Sequence, residues 1–287
     1  MINTLFLNQI NKYSHKNINQ IKNAMKEVLQ EIILCGLGKT NFFKSAVFYG
    51  GTSLRIFRKL PRFSEDLDFT LTDNSNIDFD DYILYAKKEL ESMNIECDIY
   101  KKEKKVNTTV LSRYFRFNLK KLFDVTYNEY SNQIISNEIL SIKVELECNY
   151  FNGGLTEIKL LTYPSFSQIR TFNYETLFAS KVIAILNRKW KSRIKGRDFY
   201  DYLFYISNKI KINLIYLENG LKLFGYLEKD EKLTIDRLKK ELIARFESIN
   251  FNEALKDVLP FIGNSDPFID SFNKDTFLLT VDLIEVM

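Results

Sequence analysis

The sequence is poor in residues that carry several common chemistries. Its 287 residues include one histidine and three cysteines. The histidine, His15, lies in a polar segment and is expected to be a solvated surface residue, which disfavours mechanisms that need a histidine base or histidine metal ligands. Cys35, Cys97 and Cys148 are odd in number and far apart. We therefore expect neither a zinc site nor a disulfide framework, and a reducing, cytoplasmic environment.

Long apolar runs are missing as well. No stretch approaches the roughly 20 apolar residues of a membrane span, so we expect no membrane association. Residues 1–4 start no charged-then-apolar segment, so we expect no signal peptide. With 45% hydrophobic residues the chain can bury a sizeable core, and its length is comfortable for two domains. The net charge of +4 does not by itself indicate nucleic-acid binding.

The most informative stretch begins with two glycines after the apolar residues 46–49. Gly50 and Gly51 can adopt backbone angles that other residues avoid, and they let a phosphate approach the chain closely. About a dozen helix-compatible residues follow. Thr52 or Ser53 is expected to cap that helix and to add a hydroxyl at its N-terminus, where the helix dipole favours anions.

An acidic strand follows this helix. In Asp66-Leu67-Asp68-Phe69 polar and apolar residues alternate, which predicts a strand with both carboxylates on one face. Two carboxylates held this close repel each other unless a cation lies between them. Mg²⁺ (or Mn²⁺) bound together with substrate phosphates resolves that repulsion. The alternative is an exposed acidic strand end.

A second informative stretch lies near residue 190. Residues 175–188 predict a helix, on which Lys181 and Arg188 share one face because they are seven residues apart. A run of basic residues surrounds Trp190, and we interpret it as a solvated loop or as a track for RNA phosphates. Asp198 lies at the start of the next helix, and one interpretation is that it serves only as the N-cap of that helix. Asp201 is expected to be structural. The basic residues are Arg188, Lys189, Lys191, Arg193, Lys195 and Arg197.

Both stretches carry a resemblance. The string G-G-T-S-L…R-F-S-E-D-L-D-F resembles the nucleotidyltransferase superfamily, and within it the AbiEii-type abortive-infection toxins of type IV toxin–antitoxin systems, with the similar MenT toxins. The pattern K-x-x-A-x-x-x-R…G-R-D-F-Y-D is similar to the same toxins. The resemblance implies that Lys181 binds nucleotide phosphate and that Asp198 is essential at the active site. Gly50, Gly51, Thr52 and Ser64 would cradle the phosphates.

The resemblance also implies a third metal-binding acid on a strand beside the D-x-D strand. Residues 142–148 alternate cleanly, with Lys143, Glu145 and Glu147 on the face opposite Val144 and Leu146. Glu145 is the first choice to join Asp66 and Asp68 as a metal ligand, and Glu147 is the second. The alternative is an exposed, charged sheet face.

These observations predict an α/β (α+β) fold. Residues 1–170 are expected to form a nucleotidyltransferase domain with a mixed sheet flanked by helices. Residues 171–287 are expected to form a mainly helical domain that contributes Lys181 and Asp198 to the site. Residues 120–137 have no clear pattern and are expected to be a loop or an irregular insertion.

The predicted activity is Mg²⁺-dependent transfer of a nucleoside monophosphate from an NTP to an RNA acceptor. The resemblance implies the 3′ end of tRNA as that acceptor and a cognate antitoxin encoded nearby. One alternative is a nucleotidyltransferase that attaches AMP or UMP to a protein. Another is a catalytically silent nucleotide-binding module that recognises a partner, which the intact Asp66 and Asp68 disfavour.

Overall fold

The computed structural model describes residues 4–13, 17–73, 77–102, 109–188, 194–263 and 266–287. Its helices are α1 (Thr4–Ile10), α2 (Ile18–Gly38), α3 (Phe42–Ser45), α4 (Gly50–Arg58), α5 (Phe79–Ser92), α6 (Leu119–Thr126), α7 (Asn128–Ser131), α8 (Tyr174–Asn187), α9 (Gly196–Ser207), α10 (Leu214–Leu223), α11 (Ile235–Glu247), α12 (Phe251–Val258) and α13 (Lys274–Thr280). Its strands are β1 (Ala46–Tyr49), β2 (Leu67–Leu71), β3 (Asp98–Tyr100), β4 (Val110–Asn118), β5 (Ile139–Glu147), β6 (Thr156–Leu161) and β7 (Ser167–Phe172). His15 lies outside the described residues.

The chain divides into two compact units. The first comprises Met1–Ser53, Ser64–Tyr150 and Ile158–Thr171. The strands form one mixed sheet in the order β3-β4-β5-β2-β1-β7-β6. Strand β2 is antiparallel to β1 and parallel to β5, so the strand that carries Asp68 is central in the sheet. The predicted α/β class with a mixed sheet is confirmed.

The core of the first unit follows from the apolar pattern of its elements. The side chain of Asn17 accepts a hydrogen bond from the Gln20 N–H and starts α2, which packs against α5. On β2, Leu67 and Phe69 are fully buried, and the Phe69 ring lies 5.2 Å from the ring of Phe48 on β1. Burying each such side chain contributes about 1.5–3 kcal/mol. This burial points the alternate residues of β2 to the opposite face.

One expectation about this unit is corrected. Residues 120–137, expected to be irregular, include helices α6 and α7. The Asn118 side chain accepts a hydrogen bond from the Lys121 N–H, and Leu119, Leu122 and Phe123 are buried at helical spacing. The short length of α6 hid this pattern in the sequence. Strands β6 and β7 were not predicted, because the residues around Pro164 have no clear alternation.

The second unit comprises Leu54–Phe63, Phe151–Glu157 and Phe172–Met287. Two of its segments therefore precede residue 171. Helix α8 packs against α9 and α10, and α9 packs against α12. Aromatic rings fill the space between the helices, and the Phe251 ring stacks on that of Phe277 at 4.4 Å. Gly196 permits the close approach of α9 to α12, since a Cβ there would lie 1.7 Å from the Ala254 carbonyl oxygen.

None of the described helices is long and apolar enough to cross a membrane.

Replacing Gly196 by alanine tests this packing. The added methyl group meets backbone rather than a flexible side chain, so we expect Gly196→Ala to destabilise the protein by about 1–3 kcal/mol, or more if α12 detaches. Urea unfolding followed by circular dichroism measures the change. Gly263→Ala is the matched control, because a Cβ there meets nothing within 4 Å. Equal stability of the two variants would contradict the close approach.

Candidate active site

The carboxylate of Asp68 packs directly against Gly50. Gly50 begins α4 with a φ of +80°, a conformation that favours glycine. A Cβ at this position would lie 2.4 Å from Asp68 Oδ2. Across the β1–β2 pair, Asp68 is in register with Tyr49, the residue just before the glycine. Because Gly50 has no side chain, there is room for the Asp68 carboxylate beside it.

Thr52 and Ser53 do not cap α4, which corrects the expectation from sequence. The helix starts two residues earlier, at Gly50, and both hydroxyls are fully buried. The Thr52 hydroxyl donates a hydrogen bond to the backbone oxygen of Asp66. The Ser53 hydroxyl is hydrogen-bonded to that of Thr171 at 2.7 Å. Thr52 thus ties α4 to the residue that begins the acidic motif.

The predicted third acid lies beside the acidic motif. In the parallel β2–β5 pair, Asp68 is in register with Glu145, so the two side chains leave the same face of neighbouring strands. Glu145 Oε1 accepts a hydrogen bond from Ser112 Oγ at 2.8 Å and lies 2.7 Å from Lys143 Nζ. The carboxylate of Glu147, the second choice, accepts the Asn149 N–H at 2.8 Å.

The acidic face suits a hard divalent cation through two carboxylates. Asp66 and Asp68 are both half-buried, and carboxylate oxygens are the ligands that Mg²⁺ and Mn²⁺ favour. Within the described ranges, no group of three or more histidine, cysteine, aspartate and glutamate side chains is arranged to hold a metal ion. The fit therefore rests on the Asp66–Asp68 pair, and a role for Glu145 as a ligand stays a prediction.

Lys181 and Asp198 meet in a buried ion-pair network of the second unit. Lys181 Nζ lies 2.8 Å from Asp198 Oδ1 and 2.8 Å from Asp201 Oδ2. Arg188 Nη1 donates to Asp198 Oδ2 at 2.5 Å. Asp198 is not the N-cap of α9, because Lys195 holds that position. Its carboxylate points instead to the two cations.

Sequence reasoning missed Arg62, the fifth member of this network. Its Nε and Nη2 donate to the two oxygens of Asp201 at 2.6 Å each. The side chain of Asp201 has no exposure to solvent, and that of Arg62 is 3% exposed. The motif R-F-S-E contains this arginine, but its partner is far along the chain. Asp201, which was expected to be structural, is thus buried in ion pairs.

The charges in the network stabilise one another. Burial raises the pKa of Asp201, but the nearby Arg62 and Lys181 outweigh it and hold this pKa below its usual value. For Asp198, Lys181 and Arg188 outweigh burial in the same way. Burial lowers the pKa of Lys181, and the charges of Asp198 and Asp201 raise it above its usual value. The two carboxylates therefore stay ionised.

The basic run around Trp190 is only partly described. Lys189, Lys191 and Arg193 lie outside the described residues. Arg197 packs inside the second unit, with its Nε 3.5 Å from Asp257 Oδ2 and its guanidinium 4.2 Å from the centre of the Phe261 ring. Burial and the charges of Arg188 and Lys181 lower the pKa of Lys195, although Asp198 opposes them. Arg197 thus has a packing role.

The family model for the nucleotidyl transferase AbiEii toxin of type IV toxin–antitoxin systems matches residues 32–273, a range that contains both motifs and all the site residues above. The chain belongs to this AbiEii family. It is thus a nucleotidyltransferase of the type IV toxin class. No curated protein sequence matches the chain.

Two solved structures are similar in fold to this AbiEii family member. MenT4, a nucleotidyltransferase toxin from Mycobacterium tuberculosis H37Rv, has a TM-score of 0.59 at 16% identity, over 98% of this chain and 88% of that chain. JHP933 from Helicobacter pylori has a TM-score of 0.50 at 18% identity, over 91% of this chain and 90% of that chain. These likenesses show the fold alone.

A methyl group at Gly50 tests the placement of Asp68. We expect Gly50→Ala to displace the carboxylate and to lower nucleotidyl transfer by about 100-fold, since a shift of about 1 Å at a reacting centre has effects of that size. The measurement is turnover of a labelled NTP. Gly225→Ala is the control, because its φ of +71° carries the same backbone strain with nothing within 4 Å. Equal activity of both variants would refute the contact.

Neutralising Asp201 tests the buried network. We expect Asp201→Asn to lower the free energy of unfolding by about 3–5 kcal/mol at pH 7, because Arg62 and Lys181 lose their shared anion. Since the folded-state pKa of Asp201 is lowered, its stabilisation is present above about pH 4 and disappears as the pH falls through that lower pKa. The difference between wild type and variant should therefore shrink below about pH 4.

Urea titrations at several pH values measure this difference. Asp230→Asn, at an exposed position, should leave the stability unchanged at every pH. A difference for Asp201→Asn that stays constant from neutral pH to acid would show that the ion pairs do not carry the stabilisation.

Proposed function

We propose that this protein transfers a nucleoside monophosphate from an NTP to an RNA, with Mg²⁺ as the cofactor and the 3′ end of tRNA as the acceptor. The observation that carries the proposal is the Asp66-Leu67-Asp68 motif: Asp66 directly precedes the central strand β2, and Asp68, on that strand, packs against Gly50 at the start of α4. Membership of the AbiEii family supplies the reaction class.

In the proposed reaction, the acceptor hydroxyl oxygen bonds to the α-phosphorus, and pyrophosphate leaves. Asp66 and Asp68 would hold the divalent ion. When bound, the ion neutralises charge on the triphosphate and on the attacking and leaving oxygens. Gly50 and Gly51 begin a helix of nine residues, and their backbone N–H groups are suited to donate hydrogen bonds to phosphate oxygens. We propose that Ser64, two residues before the motif, adds its hydroxyl to this cradle.

The buried network supplies positive charge in excess. Asp198 and Asp201 already balance the charge of Lys181. We therefore propose that Lys181 attracts the triphosphate together with the neighbouring cations. Arg62, Lys181, Arg188 and Lys195 bring four positive charges against the two of these carboxylates. That surplus favours a polyanion. We propose that Asp198 holds Lys181 and Arg188 in place for the same reaction.

The acceptor and the partner are inferred from the family and from charge. Type IV toxin–antitoxin systems pair a toxin with an antitoxin, so an antitoxin partner is implied and we propose that it is encoded nearby. The basic residues on both sides of Trp190 favour an RNA over a protein acceptor. Arg197 is not counted among them, because it contacts Asp257 and Phe261.

Labelled NTPs test the proposal. Purified protein is incubated with Mg²⁺, each α-labelled NTP in turn, total tRNA and a protein extract. We expect label on RNA from wild type, and none from Asp66→Ala/Asp68→Ala. The control is Asp81→Ala, which removes an exposed carboxylate and should leave the transfer unchanged.

Two other outcomes would redirect the proposal. Label on protein in place of RNA would show an AMP- or UMP-attaching enzyme. Nucleotide binding without any transfer, unchanged by the double substitution, would show a binding module and would remove the metal site.

A further inference from the structure

The residues just before the acidic strand have an irregular backbone. Residues 64–66 precede β2, which begins at Leu67, and they belong to no helix or strand. Backbone carbonyl groups outside regular structure need hydrogen-bond partners from elsewhere in the protein. The Thr52 hydroxyl supplies one of them by donating to the Asp66 backbone oxygen. The position of this segment therefore depends on side chains that reach it from other elements.

Helix α2 supplies two more contacts to the same segment. Gln30 Nε2 donates to the Ser64 backbone oxygen at 3.2 Å. Lys26 Nζ lies 3.3 Å from Glu65 Oε1. Because Lys26 and Gln30 are four residues apart, they share one face of the helix. This face of α2 thus contacts the two residues that come directly before Asp66.

Gln30 is an unfavourable residue for its place in the core. It has no exposure to solvent, and its neighbours on α2 include the fully buried Leu29 and Ile33. Its Oε1 is buried and makes no hydrogen bond within the described part of the chain. Burying an unpaired polar atom costs free energy, so packing alone would favour an apolar side chain here. The bond from Nε2 to Ser64 is the contact that such a side chain could not make.

The residues held in this way are ones that the proposed reaction uses. Ser64 carries a hydroxyl of the proposed phosphate cradle, and Asp66 is a proposed ligand of the divalent ion. The backbone of this short segment is held at Ser64 by Gln30 and at Asp66 by Thr52. A displacement of about 1 Å at a reacting centre lowers a rate by about 100-fold. Losing the contact at Ser64 would therefore affect the chemical step.

We propose that Gln30 is a positioning residue of the active site: its amide holds the Ser64 backbone so that the Ser64 hydroxyl and the Asp66 carboxylate keep their places for nucleotidyl transfer. Lys26 supports the same segment through Glu65. This inference rests on the proposed function, and it adds a residue that acts only through residues 64–66.

Gln30→Met tests the inference, because methionine keeps the length of the side chain and removes the donor. We expect kcat for transfer from a labelled NTP to fall about tenfold. The melting temperature should change by less than about 3 °C, because the loss of one hydrogen bond and the removal of the unpaired buried oxygen offset each other. A side chain that only stabilised the fold would show the opposite split.

Gln9→Met is the matched control for this change. Gln9 Nε2 donates to Glu31 Oε2 at 2.8 Å, a bond that joins α1 to α2. The same substitution there should leave kcat at the wild-type value. An equal fall of kcat in Gln9→Met and Gln30→Met would show a general effect on α2 and would overturn the inference.

Amide hydrogen exchange tests the contact without any activity. By mass spectrometry, peptides that contain residues 64–66 should exchange about fivefold faster in Gln30→Met, as expected for the loss of one hydrogen bond, and at the wild-type rate in Gln9→Met. Lys26→Met, at a half-buried position, is a second variant, with an expected increase of about twofold. Its control is Lys22→Met, since Lys22 Nζ pairs with Glu138 Oε1 at 2.6 Å.

The outcomes keep the inference distinct from the proposed function. Unchanged exchange of residues 64–66 in Gln30→Met, or a wild-type kcat in this variant, would overturn the inference while transfer by the wild type still supports the proposed function. If the wild type transfers no label although exchange in Gln30→Met is faster, the proposed function fails, and the bond from Gln30 to Ser64 is a structural contact only.

Discussion

The carboxylate of Asp201 has no contact with solvent, yet it binds Arg62 through both oxygens and Lys181 through one. Charges removed from water are tolerated only when each is paired, so these three side chains depend on one another. Asp198 extends the pairing to Arg188, and the network joins α8 to α9. Arg62 itself precedes Asp66 by four residues in the sequence.

The carboxylates of the acidic motif are less buried than those of this network. There Glu145 is paired with Lys143, and the charges of Glu145 and Asp66 raise the pKa of this lysine. Fully buried ion pairs serve structure, whereas half-exposed carboxylates held close to one another favour a cation from solution. Membership of the AbiEii family supplies the reaction class, and nucleotidyl transfer requires charge neutralisation at a triphosphate.

The local parts of the fold were predictable. The helix predicted at residues 175–188 is α8, which runs from Tyr174 to Asn187. The miss at α6 has a physical reason, since eight residues span barely two turns and give little periodicity. Thr52 was wrong as a cap because its hydroxyl bonds to the Asp66 backbone oxygen, a partner 14 residues away.

The sequence by itself predicted a strand at the acidic motif, because polar and apolar residues alternate there, and it indicated the family through two motifs. Only the tertiary structure decided which strand lies beside β2, and with it the register that pairs Asp68 with Glu145. The same holds for Arg62 and Asp201, which are 139 residues apart. Such contacts leave no local pattern, because packing and charge pairing act across chain segments that meet only after folding.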